Sequence, residues 1–200
     1  MNLLEYHAKR EVLAPAGIAV PEGAWCENAE AAAMAAGRLG PVVVKAQVPA
    51  GHRGKTGGVR VATSPEEAER VARDIFGMTF AGHRPRAVLV ERRVPIAREF
   101  YAAVLAAPGE RAPVVMFSSS GGMDIEEIAA REPASIGRQV VRDLDGFDAS
   151  TAAAMLADSG LGALAPALAD ALVRLYRRYR ETDAELIEIN PLAECADHSL

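Results

Sequence analysis

The sequence predicts an α+β fold with mixed α/β character and at least one mixed sheet, on three observations. Helix-like and strand-like patterns alternate along the whole length. Half of the 200 residues are hydrophobic, enough to build a substantial core. No internal repeat, low-complexity tract or long linker divides the chain.

Taken in order, residues 3–16 read as a helix with Asn2 as its N-cap and Gly17 beyond its end. A short extended piece at 18–20 stops at Pro21. An Ala-rich helix then runs from Asn28 to Gly40, and the β-branched run Val42, Val43, Val44 leading to Lys45 is a buried strand. Residues 48–58 form a glycine-rich loop between strands, and Ser64, Pro65 and Glu67 make a capping box for a helix reaching Phe76. A strand at 87–91 follows, then a hairpin of 97–106 with 113–117 around Pro108 and Gly109, where one lobe is expected to give way to another. The remainder reads as a short helix from Asp124, a strand near 139–141, two Ala- and Leu-rich helices between 150 and 180, and a strand at 186–189 ended by Asn190-Pro191.

Composition narrows the function. The net charge is −5, with no long basic block, which argues against nucleic-acid binding driven by counterion release. Apolar runs fall short of a bilayer span, and the early acid Glu5 is unlike a secretory signal, so no membrane association is expected. Two cysteines without a disulfide framework fit a cytoplasmic address.

Of the 22 basic residues only three are lysines, Lys9, Lys45 and Lys55. Codon bias explains the scarcity but not the placement of Lys45 and Lys55 around the glycine-rich loop. A compact ammonium meets phosphate as a point charge where space is tight. The loop, with His52, Arg53, Gly54, Lys55 and Thr56, superficially resembles a Walker loop. Pro49 occupies its first glycine position, and a strand rather than a helix follows. It reads either as a phosphate-covering lid or as a basic surface turn.

Glu91 and Glu99 flank the Pro95 segment, and they read either as acceptors for a nucleotide or as solvated partners of Arg92, Arg93 and Arg98. Strand alternation puts Glu188 and Asn190 on one face, where hard oxygen donors suit Mg²⁺; the alternative is that Asn190-Pro191 simply opens a turn.

Several motifs occur in one order: N-L-x-E-Y-x-A-K at 2–9, V-V-K-A-Q-V at 43–48, R-G-K-x-G-G-V at 53–59, L-V-E at 89–91, I-A-R-E-F-Y at 96–101, S-G-G-M-D-I-E-x-I-A at 120–129 and L-I-E-I-N-P-L at 186–192. Together they resemble the N-terminal region of the succinyl-CoA synthetase (succinate–CoA ligase, ADP-forming) β subunits and related carboxylate–CoA ligases. The resemblance implies an ATP-grasp fold of two lobes with nucleotide bound between them. The smaller lobe would be 21–103, and 1–20 with 104–200 would form the second. It implies ATP, or GTP, as the nucleotide, with Mg²⁺. Lys45, His52, Arg53, Gly54, Glu91, Val94 and Glu99 would bind the nucleotide. Asn190 would hold the metal, with Glu188 the weaker candidate. It further implies an α subunit carrying the coenzyme A site and a phosphorylated histidine, with a dicarboxylate such as succinate as acyl donor. His52 stands where the family has glycine, and Ser120 where it commonly has glutamate. The family's second metal-ligating aspartate and a further domain lie beyond the position of Leu200, so an isolated chain is expected to be inactive in ligation. The alternatives are a catalytically impaired nucleotide-binding module and another ATP-grasp carboxylate ligase.

Overall fold

The computed structural model describes residues 3–122, 125–131, 133–143, 145–157 and 159–200. The expected cap Asn2 and two positions of the Ser120 motif, Met123 and Asp124, lie outside them. Contacts divide the chain into two compact units, residues 1–14 with 20–94 and residues 15–19 with 95–200. The N-terminal helix groups with the first sheet, where the sequence reading assigned residues 1–20 to the other lobe. The hairpin at Pro108 lies wholly within the second unit.

In the first unit, α1 (Glu5–His7) continues as a π-helical stretch Ala8–Leu13. The sheet has the order β1-β4-β2-β3, from β1 (Gly23–Cys26), β2 (Val42–Ala46), β3 (Val59–Ala62) and β4 (Val88–Arg92), and every pair is antiparallel. Two helices, α2 (Ala29–Leu39) and α3 (Pro65–Gly77), cover one face. Their starts are fixed locally. Asn28 Oδ1 accepts from Ala31 N at 2.8 Å, and Ser64 Oγ accepts from Glu67 N at 3.2 Å, each satisfying an orphan amide of a first turn. Ala32, Ala35 and Ala36 recur at helical spacing and are buried with Ala68, Ala72 and Ile75 in one core, so small side chains let α2 and α3 approach closely. Fully buried Leu39 and Ile75 each contribute about 1.5–3 kcal/mol of transfer free energy.

Alternation along the strands then sets up the opposite face. Val42, Val44 and Ala46 of β2, and Val88 and Val90 of β4, join the helix-covered core. Lys45, Leu89 and Glu91 therefore point the other way. The N-terminal helix lies on that side, where Tyr6 and His7 pack on Trp25 of β1 with ring centroids 5.5 and 5.2 Å apart.

The second unit holds β5 (Ile96–Ala107), β6 (Ala112–Ser118), β7 (Ile136–Val140) and β8 (Leu186–Cys195), in the order β7-β6-β5-β8 and again antiparallel throughout. Helices α4 (Ile125–Arg131), α5 (Ala149–Leu156) and α6 (Ala165–Glu181) complete it. The expected mixed sheet is corrected here: both sheets are antiparallel among the described residues, because strands join through hairpins or return on their neighbours without a parallel crossover. Two further expectations change. The piece at 18–20 is not a strand; the pairing partner of β4 is Gly23–Cys26 instead. And Asn190-Pro191, a cis peptide, does not end the last strand, which continues through an irregularity opposite Phe100 and Ala102 to Cys195.

Candidate functional site

The face of the first sheet turned away from α2 and α3 carries a compact charge cluster. Glu91, one residue before the end of β4, points to the side of Lys45, and the first helix adds Glu5 and Lys9, which share a helix face because they stand four residues apart. Lys45 Nζ lies 2.7 Å from Glu91 Oε2 and 2.9 Å from Glu5 Oε1. Lys9 Nζ lies 2.5 Å from Glu91 Oε1 and 2.9 Å from Glu5 Oε1. From the loop, Arg53 Nη2 reaches Glu5 Oε2 at 3.0 Å while its Nη1 donates to Ala46 O at 2.7 Å. The helix is fixed further where Tyr6 N donates to Oε1 of buried Gln47 at 3.0 Å.

Glu91 is 5% exposed and the other four charged side chains about a fifth, so water screens the cluster weakly. Burial pushes the Glu5 carboxyl up, but Lys45, then Lys9 and Arg53, outweigh it and hold Glu5 well below the usual carboxylate range. Burial likewise lowers Lys45, and Glu5 and Glu91 more than compensate, so its ammonium is held above the ordinary lysine range. Both Glu5 and Lys45 therefore stay charged at neutral pH.

The loop after β2 is tied to the strand it leaves. Gly58 O accepts from Ala46 N at 2.7 Å, Gly58 N donates to Arg53 O at 2.7 Å, and Thr56 N donates to His52 O at 3.3 Å. A Cβ on Gly58 would meet the Phe80 ring at 2.6 Å and Arg53 O at 3.1 Å, so glycine is required there. His52 adopts φ 56°, the left-handed region that glycine enters without steric cost.

In the second unit a separate constellation forms around the small-residue loop after β6. Gly122 N donates to Asn190 Oδ1 at 2.8 Å, and Gly121 N donates to Glu99 O at 2.9 Å. The Glu99 carboxylate lies against Gly122 so closely that a Cβ there would stand 2.1 Å from its Oε2. Glu188 and Asn190 are both on the exposed side of β8. Among the described residues no three His, Cys, Asp or Glu side chains gather as a ready-made metal cage.

Of the residues singled out from sequence, Lys45, Arg53 and Glu91 meet in the first unit, with His52 and Gly54 on the adjoining loop and Val94 the last residue of that unit. Glu99 and Asn190 meet at Gly122 in the second. The reading of Glu91 and Glu99 as partners of neighbouring arginines does not hold for Glu91, which pairs with lysines; Arg92 goes to Glu22 and Arg98 to Glu194. Glu5 and Lys9 join this cluster from outside the residues singled out as nucleotide or metal ligands; their signal in the sequence is an acid and a base four residues apart on the first helix, in a chain with few lysines.

Residues 2–194 match the ATP-grasp domain family. The chain belongs to that family. Among its relatives, the succinate–CoA ligase [GDP-forming] β subunit of Thermus thermophilus is 42% identical over 198 residues, covering 98% of this chain and 52% of that protein. The succinate–CoA ligase [ADP-forming] β subunit of Rubrobacter xylanophilus is 44% identical over 194 residues, covering 96% and 50%. This ATP-grasp chain thus spans about half the length of the curated relatives it matches. A solved structure of Ca. Korarchaeum cryptofilum dinucleotide-forming acetyl-coenzyme A synthetase 1, in complex with coenzyme A, Ca-AMPCP and HgCl+, superposes with TM-score 0.74 at 25% identity, covering 96% of this chain and 86% of that one. ATP citrate lyase from Methanothrix soehngenii, at 24% identity and TM-score 0.71 over 94% of this chain and 46% of that one, shares the fold. No helix among the described residues is long and apolar enough to cross a membrane.

Proposed function

We propose that this chain is the nucleotide-binding ATP-grasp part of an ADP-forming carboxylate–CoA ligase, working with an α subunit in the cytoplasm. The reaction would join a carboxylate, such as succinate, to coenzyme A at the expense of a nucleoside triphosphate, with a phosphohistidine on the α subunit as intermediate. The observation that carries this reading is the 38–44% identity to succinate–CoA ligase β subunits over nearly the whole chain.

The residues suit the chemistry. Phosphoryl transfer is catalysed chiefly by positioning and by offsetting charge on phosphate oxygens. Lys45 and Arg53 are already gathered on an anion, the Glu5 carboxylate, so the same donors fit a phosphate. Glycines at 51, 54, 57 and 58 allow loop amides around His52 and Gly54 to approach closely. In this reading Glu91 and the backbone at Val94 meet the base, and Glu99 accepts from the sugar hydroxyls. Asn190 Oδ1, which accepts from Gly122 N, is the hard oxygen that would meet Mg²⁺, with Glu188 a weaker second. Bound there, the metal would draw charge from the phosphates.

Calorimetric titration with Mg-ATP and Mg-GTP tests this. Saturable binding of at least one nucleotide, lost in Lys45→Ala, is expected; no binding of either overturns the reading. A second reading, an impaired nucleotide-responsive module, draws on Ser120 where the resembled family has glutamate. Adding a cognate α subunit separates the two, since phosphohistidine forms only under the first.

A further inference from the structure

The Glu5 carboxylate spreads over three cations: Oε1 meets Lys45 and Lys9, each at 2.9 Å, and Oε2 meets Arg53 at 3.0 Å. Lys45 and Arg53 come from different segments, a strand and the loop beyond it. What they share in this structure is that carboxylate. A carboxylate bridging an ammonium and a guanidinium makes the charge-assisted hydrogen bonds that two oxygens of a phosphate would make.

We propose that Glu5 is a resident anion in the polyphosphate seat, holding Lys45 and Arg53 in place until a phosphate of the nucleotide displaces it, and thereby setting the affinity. This rests on the nucleotide reading above. Lys9 gives the displaced carboxylate somewhere to go: one helical turn away, it already touches Glu5 Oε1 and remains anchored to Glu91. Glu5 therefore keeps a counter-ion after Lys45 and Arg53 have turned to phosphate, and no carboxylate is left buried without a partner.

The proposal fixes the sign of two substitutions. Lys9, Lys45 and Arg53 face Glu5 and Glu91, so the cluster carries one unit of excess positive charge. Glu5→Gln removes the tethered competitor and raises the excess by one unit. Lys9→Met abolishes the excess and leaves Glu5 bound to Lys45 and Arg53 alone. A purely structural role predicts one sign for both variants, because each breaks buried ion pairs that hold the first helix to the sheet.

The test is calorimetric titration of the chain and both variants with inorganic tripolyphosphate and with Mg-ATP. Glu5→Gln is expected to bind both about tenfold more tightly than the parent, and Lys9→Met to bind both more weakly by a similar factor. Equal or weaker binding by Glu5→Gln, with the parent binding normally, overturns the proposal and leaves the nucleotide reading intact. Binding of neither probe by either protein overturns both. Should Glu5→Gln fail to fold, Glu5→Asp keeps the charge on a stem too short to span Lys45 and Arg53. It is expected to bind about threefold more tightly than the parent, and weaker binding overturns the proposal.

Discussion

Lys9 and Lys45 divide the Glu91 carboxylate between them, one ammonium 2.5 Å from Oε1 and the other 2.7 Å from Oε2. The two lysines come from the first helix and the second strand, so Glu91 ties the helix to the sheet. Neutralising it leaves both ammonium groups and the Arg53 guanidinium to share the Glu5 carboxylate in a weakly screened site. Glu91→Gln is therefore expected to destabilise the fold by about 3 kcal/mol, as breaking one side of a buried ion pair does. Urea denaturation measures this. A double-mutant cycle with Lys9→Met should show strong coupling, and additive effects would mean that the pair does not hold the helix.

The same cluster sets an acid limit. The folded carboxyl of Glu5 lies below its unfolded value of about 4.3, so the group contributes stability above that pH. Its contribution is lost as pH falls through the folded value. Lys45 is shifted upward, so its contribution is complete below about pH 10.4 and is lost as pH rises through the folded value. Unfolding free energies between pH 2.5 and 7 should drop below about pH 4.5, and Glu5→Gln should flatten part of that drop. An unchanged acid limb in the variant would assign it to other carboxylates.

At the loop, His52 occupies the left-handed region with φ 56°. That angle is one glycine adopts without steric cost. A left-handed non-glycine residue costs about 1–2 kcal/mol, and the greater unfolded freedom of glycine returns about half of this. His52→Gly is expected to raise stability by about 0.5–1 kcal/mol, whereas His52→Val should lower it by at least as much. Thermal melts of the two variants moving in the same direction would contradict this account.

These expectations also mark what the sequence could and could not disclose. The caps at Asn28 and Ser64 were readable because they act within four residues on their own helix. So was the inward set Val42, Val44 and Ala46, because alternation is local. The strand at Gly23–Cys26 was not, since Gly23 and Ala24 have little strand propensity and the strand exists through its pairing with β4. Nor were the partners of Lys45 and Glu91. Lys9 and Glu91 are 82 positions apart, and their meeting depends on where Tyr6 and His7 settle on Trp25. The lysine scarcity flagged the right residues without saying what they would touch. Pro191 misled for a related reason: a proline suggests a stop, but the pairing of β5 with β8 carries the strand past it to Cys195.

In the second unit, Gly122 is the point where Glu99 and Asn190 are held, and substitutions there separate structure from ligand binding. Its φ of 71° and the Glu99 oxygen 2.1 Å from a would-be Cβ exclude a side chain unless the carboxylate moves. Gly122→Ala should thus cost about 1–2 kcal/mol and displace Glu99 as well. Asn190→Ala removes the acceptor of one backbone amide and should cost about 1 kcal/mol. If Asn190 also supplies an oxygen to Mg²⁺, this variant loses far more affinity for Mg-ATP than for ATP in the presence of a chelator. Asn190→Asp, which keeps an oxygen for both the amide and the metal, should restore Mg-ATP binding. Equal losses with and without Mg²⁺ would confine Asn190 to holding the Gly121-Gly122 loop against Glu99.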